Sequence, residues 1–105
     1  MTITNISLSN SVELLNLYFN IKCIILFGNT SVSSKDIDLL IISENFSSIF
    51  IFKRAALVRS ILSTAKKIDP ICLTPTELAD YIEKQNPFYL NILKKGTLIY
   101  GNKIS

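Results

Sequence analysis

Histidine and tryptophan are absent from this 105-residue chain, and cysteine, glycine, proline and methionine number only two, three, three and one. Each shortage removes a class of chemistry. Without histidine there is no Ser-His-Asp or Cys-His nucleophile system. Histidine-containing zinc sites are excluded as well, and two cysteines cannot build an all-cysteine one. Cys23 and Cys72 both fall inside apolar, strand-like runs. They read as buried, reduced thiols rather than a disulfide, which makes the cytoplasm the expected compartment. Charge is also scarce, at 18% of residues against the ~25% of an ordinary soluble domain. A surface so lightly charged leaves room for an apolar partner interface. Long hydrophobic runs are missing too: stretches such as Cys23-Ile24-Ile25-Leu26-Phe27 fall far short of the ~20 residues of a membrane span. The first residues, Met-Thr-Ile-Thr-Asn-Ile-Ser, carry neither a basic n-region nor a long apolar one, so neither a secretory signal nor membrane association is expected.

What remains is carboxylates, hydroxyls, lysines, or a metal held by oxygen. Oxygen ligands select hard cations such as Mg²⁺. The length fits one domain, 1–105, with a single buried core. No repeat and no long linker interrupts it.

The pattern alternates between helix and strand. Asn10-Ser11-Val12-Glu13 has the form of a capping box and predicts a short helix through about Phe19. A strand is expected over 22–27, a loop rich in Ser and Thr over 28–35, and a second strand over 36–42. In that second strand Asp36, Asp38, Leu40 and Ile42 share one face, and Ile37, Leu39 and Ile41 the other. Apolar residues on both faces predict a central strand covered on both sides. Residues 49–67 read as the longest helix, with Ile51, Ala55, Val58, Leu62 and Ala65 as its core stripe and Lys53, Arg54 and Arg59 on a solvated face. A third strand follows over 68–73. Thr74-Pro75-Thr76-Glu77 combines an N-cap, a first-turn proline and a reciprocal Glu, which opens a helix through about Lys84. Asn86-Pro87 opens another, closed by Gly96 after Lys94 and Lys95, and 97–100 is a last short strand.

The scarce acids form one constellation. Asp36 and Asp38, at i and i+2 on a strand, point the same way ~7 Å apart. Like charges that close favour a neutralising partner, and a divalent cation is one. Asp69 opens the third strand and converges on them if strands two and three are neighbours. Three carboxylates at adjacent strand ends suit one or two Mg²⁺ ions over a triphosphate. Gly28 allows close backbone approach to phosphate, and Asn29, Thr30, Ser31, Ser33 and Ser34 offer neutral donors. The same residues are compatible with a plain loop-to-strand boundary whose acids face water, and Asp69-Pro70 with a strand-entry turn.

Leu26-Phe27-Gly28-Asn29 followed by Asp36-Ile37-Asp38-Leu39-Leu40-Ile41-Ile42 resembles the signature of the minimal nucleotidyltransferases (MNT) of the DNA polymerase β superfamily, a Gly-Ser turn, a spacer and then Asp-x-Asp before apolar residues. Ile68-Asp69-Pro70-Ile71-Cys72-Leu73-Thr74-Pro75-Thr76-Glu77-Leu78 resembles the strand that carries the family's third carboxylate. The ending from Asn86-Pro87-Phe88 to Gly101 is similar to that of small bacterial members. The likeness runs from the first helix to Gly101.

The resemblance implies an α/β (α+β) nucleotidyltransferase fold, a mixed sheet of about four strands flanked by helices in one small domain. It implies Mg²⁺-dependent transfer of a nucleoside monophosphate, AMP from ATP, to a hydroxyl acceptor. Asp36, Asp38 and Asp69 would be the catalytic and metal-holding residues, with Asp69 activating the attacking hydroxyl. Gly28 and Asn29 would sit against the β- and γ-phosphates of the nucleotide. Thr30 offers a neutral donor beside them, and Lys35, immediately before Asp36, reads either as a substitute phosphate contact or as a solvated loop lysine. In the small bacterial members the acceptor is often a HEPN-domain toxin, and the enzyme is its antitoxin. A separate protein partner or self-association is therefore expected. Two features depart from the family pattern: its Ser is Asn29 here, and only six residues separate Asn29 from Asp36, fewer than is usual. They favour the alternative of a weak or inactive nucleotidyltransferase-fold module acting by partner binding. A small-molecule modifier is a lower alternative, because such enzymes carry an extra helical domain.

Direct nucleic-acid binding is not expected, since no basic run exceeds two residues. With the three site acids set aside, eleven basic residues face Glu13, Glu44, Glu77, Asp80 and Glu83. The net charge of +3 thus separates into an acidic cluster and a shell of +6, which could attract an anionic nucleotide.

Overall fold

A computed structural model describes residues 3–29, 36–62 and 67–102, with side chains of the first helix described from Ser9 onward. The elements run α1 (Ile3–Tyr18), β1 (Ile21–Phe27), β2 (Asp36–Ser43), a 3-10 turn (Glu44–Ser48), α2 (Ile51–Ile61), β3 (Lys67–Leu73), α3 (Pro75–Glu83), α4 (Pro87–Lys95) and β4 (Thr97–Gly101). The four strands form one sheet in the order β3-β2-β1-β4. β1 is antiparallel to both β2 and β4, and β2 is parallel to β3. This is the α+β mixed sheet expected from the sequence, with β2 inside it.

The alternation of β2 divides the core into two layers. Ile37, Leu39 and Ile41 pack with Ile24 and Ile68 beneath α1 and α2, which contribute Leu15 and Val58, and beneath Phe19 and Leu62 just past those helices. Leu40 and Ile42 pack with Cys23, Ile25 and Leu73 beneath α3 and α4, which contribute Leu78 and Ile92. Cys23 and Cys72 are both buried and free. They belong to opposite layers, so no disulfide is within reach. Burial pushes both thiols up, Cys72 to about 12.

The helix starts at Thr74 and Asn86 form as their sequences dictate. Thr74 Oγ accepts from Glu77 N at 3.1 Å while Glu77 Oε1 accepts from Thr74 N at 2.8 Å, a reciprocal box that satisfies two otherwise orphaned donors. Asn86 Oδ1 accepts from Phe88 N at 3.0 Å. Gly96 ends α4 in an extended conformation, φ −69° and ψ 159°, so a left-handed turn is not what selects glycine there. A Cβ at Gly96 would run into the Ile25 side chain and the Ile92 carbonyl.

Three expectations are corrected. α1 begins at Ile3, not at Asn10. A capping sequence competes with continuation of the helix, and extending a formed helix is cheap. Among the described residues the longest helix is α1, of 16 residues; α2 has 11 and ends at Ile61. Residues 63–66 of the expected longer helix, Ala65 among them, lie outside the described residues, and Lys67 already belongs to β3. Ile51 is exposed, and Arg54, expected on the solvated face, is buried. Its guanidinium meets Glu77, so a charge at a core position is paired rather than solvated.

Candidate active site

β1 ends where β2 and β3 begin, so one end of the sheet gathers the residues of interest. The register pairs Phe27 with Asp38 across β1 and β2, and Asp38 with Asp69 across β2 and β3. Two residues earlier, Asp36 pairs with Lys67. Successive alternate residues of a strand share a face, so Asp36, Asp38 and Asp69 all project from the face that α3 and α4 cover farther along. Asp36 is exposed, while Asp38 and Asp69 are half-buried.

Gly28 turns the chain away immediately after β1. Its φ of +74° is one that side-chain-bearing residues adopt at a cost, and a Cβ there would collide with the Asp38 carboxylate. The backbone at Gly28 therefore lies directly against Asp38. This close approach gives the Gly a reason that composition alone does not supply. Asn29 follows as an exposed residue. Thr30 and Lys35 lie outside the described residues, as do Ser31, Ser33 and Ser34.

The electrostatics of the cluster centre on Asp38. Burial first, then the carboxylates of Asp69 and Asp36, hold Asp38 above the usual carboxylate range, with Lys67 partly opposing them. Asp69 is engaged by two cations, Arg59 Nη2 at 3.5 Å and Lys67 Nζ at 3.7 Å. Both contacts are long, and the Arg59 and Lys67 side chains are 47% and 66% exposed. Pairs of that kind contribute little and exchange readily. Arg59 also donates from Nε to the Ile68 carbonyl at 3.0 Å, which anchors it to the outer strand.

Among the described residues, no three Asp, Glu or Cys side chains are closed around a common point that could hold a metal ion. The donor chemistry nonetheless fits a hard cation: all three side chains are carboxylates on one face, and the charge on Asp38 is opposed by its neighbours. Asp36 and Asp38 are the donors so placed, with Asp69 set beside them by the strand register and weakly paired to Arg59 and Lys67.

Arg59 and Lys67 were not singled out at this site from the sequence. Lys67 was legible, because it stands two residues before Asp69 on one strand. Arg59 was not, since its distance from Asp69 is fixed only by how α2 docks on β3. Beside the cluster, a cavity of about 380 Å³ opens between the end of β1, the start of β4 and α4. No helix among the described residues is long and apolar enough to cross a membrane.

No protein-family model and no curated protein matches the sequence. Solved structures do. A protein from Sulfolobus solfataricus, provisionally described as a nucleotidyltransferase, superposes with a TM-score of 0.63 at 18% identity over 93% of this chain and 80% of that one. A complex of tri-AMPylated HEPN toxin with MNT antitoxin from Shewanella oneidensis matches with a TM-score of 0.57 at 18% identity, over 95% of this chain and 74% of the matched chain. At that identity the likeness is one of architecture, and it establishes that this chain has the nucleotidyltransferase fold.

Proposed function

We propose that this chain is a Mg²⁺-dependent adenylyltransferase that moves AMP from ATP to a hydroxyl on a HEPN-type partner protein, and so acts as the antitoxin of a toxin–antitoxin pair. The observation that carries the reading is the register: Asp38 stands beside Asp69, with Asp36 on the same face and the backbone of Gly28 against the Asp38 carboxylate. The nucleotidyltransferase fold and the likeness to an MNT antitoxin complex support it.

In this reading Asp36 and Asp38 hold the metal, and Asp69 completes its ligand set. Bound there, Mg²⁺ would supply countercharge to the triphosphate and to the leaving pyrophosphate. Gly28 and Asn29 bring backbone groups against the β- and γ-phosphates, close to the carboxylates that need neutralising. Thr30 and Lys35, outside the described residues, are the further candidates for phosphate contact. Asp69 accepts the proton of the acceptor hydroxyl as its oxygen attacks the α-phosphorus. The bond from that phosphorus to the bridging oxygen breaks, and pyrophosphate leaves. This chemistry needs positioning and charge more than a protein nucleophile, so a chain without histidine can perform it.

The test is transfer of label from each α-labelled NTP, with Mg²⁺, to the protein encoded by the neighbouring gene. Transfer from ATP that disappears in Asp36→Asn and Asp38→Asn is the expected result. A second reading, a partner-binding module without catalysis, is favoured by the pairing of Asp69 with Arg59 and Lys67 and by the lack of a closed carboxylate group among the described residues. Tight partner binding with neither transfer nor Mg²⁺-dependent NTP binding would establish that module and exclude the enzyme.

A further inference from the structure

The cavity next to Gly28 has a lining that the carboxylate cluster does not explain. Its walls include Phe27, Gly28, Phe88, Asn91, Lys95 and Thr97, and its volume is about 380 Å³, within the ~300–1,000 Å³ range of small-molecule sites. Because it shares Gly28 with the acidic cluster, the two form one continuous feature along the end of the sheet.

α4 presents Phe88, Asn91 and Lys95 at i, i+3 and i+7, on one stripe of the helix above the end of β1. Each carries a different recognition chemistry. Phe88 is 49% exposed and stands edge-on to Phe27, with ring centroids 5.9 Å apart. The rim of the cavity thus holds an aromatic surface still open to a planar group. Among the described residues, the Asn91 amide has no hydrogen-bond partner and Lys95 no carboxylate partner. An aromatic ring, an amide with one donor and one acceptor edge, and an ammonium together match a base, its hydrogen-bonding edge and a phosphate.

We infer that this cavity holds the adenine nucleoside of the triphosphate, with the base against Phe88 and its N6/N7 edge on Asn91. Lys95 neutralises charge on the phosphates. An asparagine amide complements the adjacent donor and acceptor of adenine, whereas guanine presents two acceptors on the corresponding edge. The assignment rests on the proposed nucleotide reaction, since it uses the phosphate position against Gly28 to place the rest of the molecule.

The experiment is titration of the full chain, with Mg²⁺, by ATP, GTP and inorganic triphosphate, followed by calorimetry and by amide chemical shifts. ATP is expected to bind more tightly than GTP and than triphosphate. Shifts caused by ATP and not by triphosphate should concentrate at 27–28 and 88–97. Phe88→Ala should weaken ATP about tenfold, the scale of one lost base stack, and leave triphosphate binding unchanged. Asn91→Ala, at an exposed helix position, should remove the preference for ATP over GTP. ATP that binds no better than triphosphate, or ATP affinity unmoved in both variants, overturns the cavity assignment. If Asp38→Asn still weakens ATP in that case, the phosphate site and the proposed reaction stand. Absence of binding by ATP and by triphosphate overturns both.

Discussion

Replacing Arg54 by methionine keeps an apolar stem in the space between α2 and the start of α3, and removes a guanidinium that four acceptors share. Nε donates to the Ile49 carbonyl at 2.9 Å, Nη1 to the Cys72 carbonyl at 3.2 Å, and the fork to both Glu77 oxygens at 2.6 and 3.1 Å. The Arg54 side chain is only 6% exposed, whereas that of Glu77 is 34% exposed. Breaking a fully buried pair costs ~3–5 kcal/mol. Here Glu77 keeps its bond from Thr74 N and can rehydrate in part, which screens the loss and lowers the expected cost to about 2–3 kcal/mol. Against a total stability of ~5–15 kcal/mol, that corresponds to a fall in Tm of roughly 10–20 °C for a chain this size. Urea unfolding followed by circular dichroism measures it. Arg54→Lys should recover less than half, because an ammonium cannot bridge both carboxylate oxygens and two carbonyls at once. The pH dependence provides a second signature. The hydrogen bond from Arg54, more than any other cause, holds the Glu77 carboxyl below the usual carboxylate range. A lowered folded value means a contribution fully present above the unfolded pKa of ~4.3 and lost as pH falls through the folded one. The difference between wild type and Glu77→Gln should therefore be constant from pH 6 to 8, and shrink only in acid. A loss under about 1 kcal/mol for Arg54→Met, or additive effects in the Arg54→Met/Glu77→Gln cycle, would refute the reasoning.

The acidic cluster predicts an opposite sign. Asp38→Asn removes a charge that burial, Asp69 and Asp36 all disfavour, so the urea midpoint should rise at neutral pH even as the proposed Mg²⁺-dependent nucleotide binding is lost; a lower midpoint sinks the idea. Gly28→Ala should cost more than the ~1–2 kcal/mol of a left-handed conformation, because its Cβ also displaces the Asp38 carboxylate. An unchanged midpoint would mean the loop relaxes freely. Both thiols, buried and shifted upward, should resist iodoacetamide at pH 8 in the folded protein and react fully in urea; stoichiometric labelling of the native state would contradict their burial.

Much of this arrangement could be read in advance where one local signal sufficed. The period-two pattern of β2 fixed which residues face each layer, because a strand has only two faces. Thr74-Pro75-Thr76-Glu77 placed α3, because its capping bonds close within four residues. The acids were legible for the same reason, as an Asp-x-Asp on a strand must share a face. Arg54 was not. On a helical wheel it sits beside the core stripe, and only the docking of α3 over the end of β3 turns that position inward and supplies Glu77. Glu77 itself reads as a capping residue, which it is, while its second partner is invisible from the local sequence. The start of α1 failed for the opposite reason: a good local capping pattern lay inside a helix whose earlier turns the pattern could not exclude.

The position of Asp69 is a consequence of the core rather than of the site. The charges of Asp69 and Asp38 oppose each other, and Lys67, which faces both, offsets that only in part. What holds them side by side is the run of paired residues from Ile37 with Ile68 to Ile42 with Leu73. A slip of one residue would send Ile68 and Cys72 to the α3–α4 face and Asp69 into the layer beneath α1 and α2. Burying that carboxylate without a partner costs more than any contact at the site could return. The packing of Ile68, Cys72 and Leu73 therefore sets the spacing of the carboxylates. A substitution such as Cys72→Asp would disturb the site from the opposite layer, through this packing and through the charge it sets near Arg59.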